Sequence, residues 1–495
     1  MAVARALPNR TFSGTWLLPA SVFAVAVIAD AWKLGQKNLW LDEAASWFTA
    51  RQSLPALVAD TASDVHPPLY YLALKLWMAA FGDSATALRS LSLVCGVAGV
   101  LLTFRLASRF VPIAVAYVAA LWYALSPISV FFSQEARMYP AAGAAVLGAC
   151  LACRRWLDSD LRDRRALLWY AGCAVAGLYL HYFTVLPIAV MCGHVFLRLR
   201  RHGHTDARRA WTTVHAGIAA AFAPWAPVLV DQMLRGQDWR RAILWSDLPH
   251  EAGLALGTFT FGGYYQAPLF STVALRIIVV LGLGLGVTAF KAAKRDEPDT
   301  FLTVVAITPL IVGLALMPLT GYLNLARYLS FCWPLIIIAA ARGWTHLRLP
   351  TAITCGVFLI CVLATRPALQ AYYASSLRDD DLGPAIAFLQ ERAAANPDSA
   401  AERILVAPGY MTFLGEYFSR GRLEYTRIDS DEELAEALRT SEPGATTWLL
   451  VDARWPDFTV MQKDTRLRET RVPDAASDRV RLFQIAPRNP HRQGH

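Results

Sequence analysis

Apolar stretches follow one another along the first 366 residues of this chain, and they constrain its fold more than any other feature. A helix that crosses a bilayer needs about 17–25 mostly apolar residues. Hydrophobic residues make up 55% of the 495 and charged residues only 17%, against about 25% charged in soluble domains. The sequence therefore predicts a polytopic α-helical membrane protein. Its eleven predicted spans are approximately 15–34, 87–108, 111–128, 138–153, 166–180, 182–198, 210–230, 270–290, 301–319, 324–341 and 350–366.

Two further apolar stretches, 68–81 and 252–265, are short and interrupted. Each is either a span or a re-entrant or interfacial helix, so the number of spans lies between 11 and 13. Clusters of Arg and Lys favour the cytoplasmic side of a membrane. With a cytoplasmic N-terminus and eleven spans, five basic clusters share that side. We therefore favour eleven spans, with the polar segments 35–86 and 133–139 and everything after about 366 outside.

The chain changes character near residue 366. Short charged helical patterns there alternate with apolar runs typical of buried strands, such as 403–407 and 446–451. This alternation predicts a small soluble α/β domain with a parallel-type sheet. The predicted domains are a membrane domain at 1–366 and an extracytoplasmic soluble domain at 367–495. No glycine-rich phosphate loop follows either strand, so no cofactor site is predicted there.

Charge and cysteine usage narrow the function classes. The net charge of +9 comes largely from the clusters between apolar runs, which argues against nucleic-acid binding. All eight cysteines fall in apolar segments, so no disulfide framework is indicated. No metal-ligand set is convincing, because residues in separate loops cannot be shown to converge. A divalent cation is left open as a cofactor.

Asp42 and Glu43 follow the first span and open a predicted short helix at the outer membrane surface. In the structural interpretation, Asp42 is the N-cap and Glu43 lies in the first turn, where negative charge is favourable. In the functional interpretation, a carboxylate at the membrane boundary accepts a proton from an incoming hydroxyl or amine.

Other candidates lie in the later polar segments. His66 precedes two prolines and is either a packed histidine or part of a site. Glu135, Arg137 and Tyr139 interrupt two apolar spans, where ionisable residues indicate function unless Glu135 and Arg137 simply pair. Arg327 and Tyr328 begin the tenth span, where an arginine either snorkels to headgroups or binds phosphate.

Taken in order, the motifs Leu41-Asp-Glu43, His66-Pro-Pro-Leu-Tyr-Tyr71, Gln134-Glu-Ala-Arg-Met-Tyr139, His181-Tyr-Phe183 and Arg327-Tyr328 resemble one known superfamily. It is the GT-C superfamily of polyprenyl-phosphate-dependent glycosyltransferases. The similarity is greatest to glycosyltransferase family 39, the protein O-mannosyltransferase-like branch to which the lipid A aminoarabinose transferases are related. The resemblance covers about residues 15–366.

The resemblance implies an inverting transferase that takes a sugar from a polyprenyl-phosphate carrier at the outer face of the cytoplasmic membrane. The expected acceptor is a lipid, a glycan or a protein. By position, Asp42 matches the candidate general base with Glu43 as its neighbour, and Glu135 matches a second acidic position. The expected binding residues for carrier phosphate are His66, Arg137, Tyr139, Arg327 and Tyr328.

Two other function classes compete with this interpretation. A transporter or flippase of lipid-linked sugars would also need a basic, amphiphile-sized cavity. Transporters tend to place ionisable groups near the bilayer midplane, whereas Asp42, His66 and Glu135 are predicted at its outer boundary. A receptor or scaffold is the third class, and it predicts that Asp42 is dispensable.

Overall fold

The structure is a computed structural model. It describes residues 16–235, 242–262, 272–294, 297–321, 323–374, 381–395, 403–440, 446–453, 467–472 and 480–485. The chain forms two compact units. The first comprises residues 1–32, 58–70 and 89–374, and the second comprises 33–57, 71–88 and 375–495. The second unit thus contains most of the segment between the first two predicted spans as well as the C-terminal region. The domain boundary at 366 stays a prediction.

Helices dominate the described residues. The helices before residue 240 are α1 (Leu17–Ala31), α2 (Leu41–Arg51), α3 (Leu54–Ser63), α4 (Leu69–Phe81), α5 (Ala85–Ala107), α6 (Ile113–Ala124), α7 (Pro127–Ser133), α8 (Tyr139–Asp158), α9 (Arg164–Leu180), α10 (Val185–Arg201), α11 (Thr205–Phe222) and α12 (Ala226–Arg235). The later ones are α13 (Leu248–Phe261), α14 (Thr272–Ala293), α15 (Glu297–Thr320), α16 (Leu325–Tyr328), α17 (Cys332–His346), α18 (Thr351–Ala364), α19 (Arg366–Ala374), α20 (Gly383–Ala395), α21 (Thr412–Ser419) and α22 (Asp431–Arg439).

The chain is a multi-pass membrane protein. Within the described residues, five helical segments are long and apolar enough to cross a bilayer, and the number rises to seven if two bent pairs each count as one span. The bends are 58° between α6 and α7 and 64° between α11 and α12. Helices α1 and α4 are shorter apolar helices. The predicted number of eleven spans stays a prediction.

Helix α17 is the most buried long helix of the first unit, with almost every residue from Cys332 to Gly343 inaccessible. It crosses α14 closely, since a Cβ atom on Gly343 would lie 1.8 Å from the carbonyl oxygen of Gly284. The ring of Trp333 packs edge-on against Trp122 and stacks on Phe259. Two ion-pair groups join helix ends, with Arg198 on Glu297 at 2.8 Å and Arg342 on Asp299 at 2.7 Å.

The second unit contains a five-stranded sheet of order β2-β1-β3-β5-β4. Its strands are β1 (Arg403–Ala407), β2 (Tyr425–Arg427), β3 (Thr447–Asp452), β4 (Leu467–Thr470) and β5 (Val480–Ile485). Strands β1, β2 and β3 are parallel, whereas β5 runs antiparallel to both β3 and β4. Helix α22 places Leu434 and Leu438 against Leu405 and Leu449 of the sheet.

The α/β class predicted for this region is confirmed, and the two predicted buried strands are β1 and β3. The prediction of a parallel-type sheet is wrong, because the sheet contains both parallel and antiparallel strand pairs. The antiparallel strands β4 and β5 are only partly buried, with patterns that lack the continuous apolar run of β3. Sequence patterning finds strands that are covered on both faces more easily than strands toward the edge of a sheet.

Candidate active site

In the first unit, His181 lies in the break between two consecutive helices, α9 and α10. Helix α9 ends at Leu180, and His181 takes an extended conformation before the short 3₁₀ turn Tyr182–Thr184. Its Nδ1 accepts a hydrogen bond from the backbone N–H of Phe183 at 3.3 Å, and the Thr184 hydroxyl donates to the His181 carbonyl at 2.8 Å. These bonds fix a buried imidazole at a break in the helical run.

Aromatic side chains from three other segments surround this imidazole. The ring centre of His181 lies 5.6 Å from that of Tyr139 at the start of α8, 5.5 Å from that of Tyr328 in α16, and 6.2 Å from that of His66. Phe183 stacks on Tyr328 at 5.3 Å. We call Tyr139, His181, Phe183 and Tyr328 the aromatic cluster.

Cationic side chains border the aromatic cluster. The Arg327 guanidinium lies over the Tyr139 ring, with its carbon 5.6 Å from the ring centre. The side chain of Asn324 caps α16 and accepts a hydrogen bond from the Arg327 backbone N–H at 3.1 Å. A guanidinium above an aromatic face is a favourable arrangement. The local sequence Asn-Leu-Ala-Arg therefore positions Arg327 through a helix cap.

Arg137 lies in the turn between α7 and α8, and the turn is tied to α5 through its backbone. The Ser92 hydroxyl donates to the Arg137 carbonyl at 3.0 Å, and Tyr70 is 3.1 Å from the same hydroxyl. The backbone N–H of Arg137 also donates to the Glu135 carbonyl at 2.7 Å. Glu135 is fully buried and Arg137 is 5% exposed. The turn thus holds two ionisable residues inside the protein, beside the aromatic cluster.

His66 joins this group through Arg137. Nη2 of Arg137 lies 3.4 Å from Nε2 of His66, and Nδ1 of His66 lies 3.0 Å from a carboxylate oxygen of Asp64.

The end of α3, just before Asp64, is held by hydrogen bonds from side chains of α12. Gln232 donates to the carbonyl of Thr61 at 2.9 Å, and Arg235 donates to the carbonyl of Ala62 at 2.9 Å.

The charges in this group shift two pKa values. Desolvation raises the pKa of Asp64, but the hydrogen bond to His66, the charge that His66 carries when it is protonated, and the charge of Arg137 outweigh it, so the net pKa is below the ordinary value. The pKa of His181 is well below its usual range because burial, the charge of His66 in its protonated form and the charges of Arg137 and Arg327 all disfavour a second proton. His181 is therefore neutral at physiological pH.

The second unit holds the acidic pair at the start of α2. Asp42 and Glu43 lie in the first turn, and a carboxylate oxygen of Glu43 accepts a hydrogen bond from the Trp40 backbone N–H at 3.3 Å. Glu43 is fully buried, whereas Asp42 is half-buried. The expectation that Asp42 is the N-cap is wrong, because the helix begins at Leu41 and Trp40, two residues before Asp42, is the N-cap. Glu43 supplies the capping bond.

The C-terminal end of α2 is also held. Nζ of Lys75 donates to the carbonyls of Ala50 and Gln52 at 3.3 and 2.5 Å, which satisfies groups that a helix end leaves open. Nε1 of Trp47 donates to Asp83 at 3.0 Å, and Trp47 packs edge-on against Tyr417. Both ends of the helix that carries Asp42 are therefore fixed within the second unit.

Of the predicted site residues, the structure brings His66, Arg137, Tyr139, Arg327 and Tyr328 together in the first unit, with Glu135 in the same turn as Arg137. Asp42 and Glu43 belong to the second unit. Four residues of the group were not assigned a role from sequence: Asp64, His181, Phe183 and Asn324. The proximity of Asp64 to His66 in Asp-Val-His-Pro, and the position of Asn324 at a helix start, are signals that could have found two of them.

The described part of the chain contains no group of three or more His, Cys, Asp or Glu residues that could hold a metal ion. A divalent cation as cofactor thus remains without assigned ligands.

Comparisons with known proteins give the family model and the solved structures that this chain is similar to. Residues 65–230 match the family model described as dolichyl-phosphate-mannose-protein mannosyltransferase. That range contains His66, Glu135, Arg137, Tyr139 and His181. No curated protein sequence matches the chain.

Solved structures show the same fold. ArnT from Cupriavidus metallidurans in the apo state has a TM-score of 0.56 at 11% identity, over 94% of this chain and 97% of that one. The same protein bound to undecaprenyl phosphate has a TM-score of 0.55 at 12% identity, over the same shares of the two chains. The Archaeoglobus fulgidus oligosaccharyltransferase in complex with zinc and sulfate has a TM-score of 0.53 at 13% identity, over 87% of this chain and 68% of that one.

Proposed function

Starting from its fold, which is that of the GT-C superfamily of glycosyltransferases, we propose that this chain moves a sugar from a polyprenyl-phosphate carrier to an acceptor. The transfer inverts the anomeric carbon, because the acceptor attacks from the face opposite the departing phosphate. The acceptor is a lipid, a glycan or a protein that offers a nucleophilic hydroxyl or amine.

The observation that carries the proposal is the convergence of Arg137, Arg327 and His66 on one aromatic cluster. When a sugar leaves its carrier, negative charge grows on the departing phosphate, and fixed cations stabilise that charge most where water is excluded. Arginine binds phosphate through paired N–H groups. In this proposal Arg137 and Arg327 hold the carrier phosphate, and the rings of Tyr139 and Tyr328 line its place.

The acceptor must also lose a proton, and a carboxylate can serve as the general base. We assign this role to Asp42, which is half-buried in the first turn of α2. Glu43 supports it by capping the helix start. Glu135, buried in the turn before Arg137, is the second candidate carboxylate.

The proposal places the protein in the cytoplasmic membrane, with the reaction and the C-terminal α/β domain on its outer side. The charge distribution supports this orientation, since basic residues cluster in segments such as 198–209 and 342–348. The partners are the lipid-linked sugar donor, the acceptor and the surrounding membrane lipids.

The transporter or flippase alternative is less well supported. The family model and the solved structures both lead to glycosyltransferases. The ionisable residues His66, Arg137 and Arg327 also lie at helix ends and in breaks between helices. The same lipid-linked sugar would be a substrate in either case. The two functions differ in whether the bond between sugar and phosphate is broken.

The testing experiment measures sugar transfer in membranes supplied with radiolabelled polyprenyl-phosphate sugars. Wild type, Asp42→Asn and Asp206→Asn are compared at matched expression. Asp206 is a fully exposed carboxylate in the first turn of α11, so its variant controls for the loss of one negative charge. We expect wild type and Asp206→Asn to transfer label, and Asp42→Asn to lose at least about 100-fold in rate, as is usual when a general base is removed.

Full activity in Asp42→Asn would remove Asp42 from the mechanism and make Glu135→Gln the next variant. Movement of intact labelled lipid across the bilayer by the wild type, without transfer to any acceptor, would contradict the transferase and favour the transporter.

A further inference from the structure

His66 lies between two groups of opposite charge. Its Nδ1 is 3.0 Å from a carboxylate oxygen of Asp64, and its Nε2 is 3.4 Å from Nη2 of Arg137. A guanidinium can only donate hydrogen bonds, and an ionised carboxylate can only accept them. The two contacts therefore require the same assignment, with the proton on Nδ1 and the lone pair on Nε2.

The three side chains form a gradient of exposure. Asp64 is half exposed, with 52% of its side chain accessible, His66 has 14% of its side chain accessible, and Arg137 is buried. The imidazole thus separates a solvent-side carboxylate from an interior guanidinium. The two prolines after His66 and the anchoring of residues 61–63 by Gln232 and Arg235 restrict the backbone on both sides. The orientation of the ring is held by backbone as well as by side chains.

We propose that Asp64 is a positioning residue, which holds His66 in the Nδ1–H form so that Nε2 faces the place of the carrier phosphate. This inference deepens the proposed function and rests on it. When phosphate pairs with Arg137, the guanidinium turns its N–H groups to the phosphate oxygens. The Nε2 lone pair is then available for a proton, and the Asp64 carboxylate stabilises the imidazolium that forms, as in other carboxylate–histidine pairs.

The change in phosphate charge during transfer explains why a histidine that can take up a proton would help. Transfer breaks the bond between the anomeric carbon and the phosphate oxygen and forms the bond to the acceptor oxygen. The carrier phosphate changes from a diester with one negative charge to a monoester with two. The acceptor gives its proton to the general base, which returns it to water, and Nε2 takes up one proton from water. The additional charge on the phosphate is thus matched by one positive charge on His66.

If His66 gains a positive charge that matches the phosphate, then the protein takes up one proton when it binds the monoester. The affinity for undecaprenyl phosphate should therefore rise as the pH falls from 8 to 6.5. In Asp64→Asn the amide still has an oxygen that can face Nδ1, but it supplies no charge. We expect this variant to bind undecaprenyl phosphate about tenfold more weakly at pH 6.5, a loss typical of one charge-assisted interaction, and to lose most of the pH dependence.

The experiment measures binding of undecaprenyl phosphate to the full chain in lipid nanodiscs across that pH range. The proteins are wild type, Asp64→Asn, Asp64→Glu, His66→Gln, the double variant Asp64→Asn/His66→Gln, and Asp206→Asn as the charge control. Asp64→Glu should restore most of the pH dependence, and Asp206→Asn should match wild type. The double variant should bind no more weakly than His66→Gln alone, because Asp64 acts through His66.

A second measurement is independent of binding affinity. In protein labelled with ¹⁵N-histidine, the signal lost in His66→Gln should show the Nδ1–H tautomer in wild type without ligand and the imidazolium once undecaprenyl phosphate is bound at pH 6.5. In Asp64→Asn the imidazole should stay neutral when the ligand is bound. A merely structural role for Asp64 would leave the protonation state of the bound form as it is in wild type. Wild-type pH dependence in Asp64→Asn, or losses that add in the double variant, would overturn the inference.

The binding assay separates this inference from the proposed function. A wild type that binds the carrier with the expected pH dependence but transfers no sugar would contradict the transferase and leave the role of Asp64 intact. A wild type that transfers sugar while Asp64→Asn binds as wild type does would contradict the role of Asp64 alone.

Discussion

The guanidinium of Arg327 lies over the ring of Tyr139, and its carbon is 5.6 Å from the ring centre. The two residues come from α16 and the start of α8, so only the tertiary structure pairs them. A cation–π contact of this kind stabilises by about 0.5–2 kcal/mol, depending on desolvation. The contact holds Arg327 beside the aromatic cluster in a fixed orientation.

Replacing Arg327 should weaken binding of the carrier phosphate without unfolding the protein. We expect Arg327→Ala to lower the affinity for undecaprenyl phosphate by about 10- to 100-fold, in line with about 1.5–3 kcal/mol for a hydrogen bond to a charged group. Tyr139→Phe keeps the ring and should bind nearly as wild type does. Arg200→Ala, at an exposed position of α10, is the control. Equal affinities in Arg327→Ala and Arg200→Ala would show that Arg327 does not touch the phosphate.

Variants of Glu43 and Asp42 should affect different properties, the stability of the protein for Glu43 and the transfer reaction for Asp42. Glu43 is fully buried and caps the start of α2, so Glu43→Ala should destabilise the protein by about 1–2 kcal/mol. Asp42→Asn should leave thermal stability within a few tenths of a kcal/mol and abolish transfer. Thermal unfolding in detergent, paired with the transfer assay, distinguishes the two. A Glu43→Ala protein that is stable but inactive would reverse these assignments.

The Ser92 hydroxyl should affect stability and donor binding, because it holds the turn that carries Arg137. It donates to the Arg137 carbonyl and contacts the Tyr70 hydroxyl. Ser92→Ala leaves the buried carbonyl of Arg137 without this donor, which costs about 1–3 kcal/mol. We expect lower thermal stability and a raised KM for the donor. In the control Ser108→Ala, the lost hydroxyl donates to the carbonyl of Arg105 at the end of its own helix, so neither quantity should change. A similar loss in both variants would contradict a specific role for Ser92.

His181 should make stability depend on pH. Its folded-state pKa lies well below the ordinary value of about 6.5. Below pH 6.5 the unfolded chain binds a proton that the folded chain does not, so the free energy of unfolding should fall as the pH drops. The contribution is fully present above pH 6.5. His181→Gln should flatten this decline in melting temperature, whereas His204→Gln, at an exposed residue, should keep it. A decline of equal slope in all three proteins would contradict a neutral, buried His181.

The crossing of α14 and α17 should not tolerate a side chain at Gly343. A Cβ there would lie 1.8 Å from the Gly284 carbonyl oxygen, and backbone cannot move away as a flexible side chain can. Gly343→Ala should destabilise the protein by about 1–3 kcal/mol, as overpacking usually does. Gly193→Ala meets nothing within 4 Å and should be neutral or stabilising, because alanine favours helix. Equal melting temperatures in the two variants would show that the helices can separate.

Sequence alone determined the class of this protein. Apolar runs and basic clusters depend only on local composition, so they indicated a polytopic membrane protein with an α/β region after residue 366. The ordered motifs around Asp42, His66, Glu135 and Arg327 resemble those of the GT-C superfamily, and both a family model over residues 65–230 and solved structures of the same fold agree with that resemblance. Only the tertiary structure decided that His66, Arg137, Tyr139, Arg327 and Tyr328 converge and that His181 is their buried neighbour. Such contacts depend on how distant helices pack, and no local pattern encodes the distance between residues that the chain itself keeps far apart.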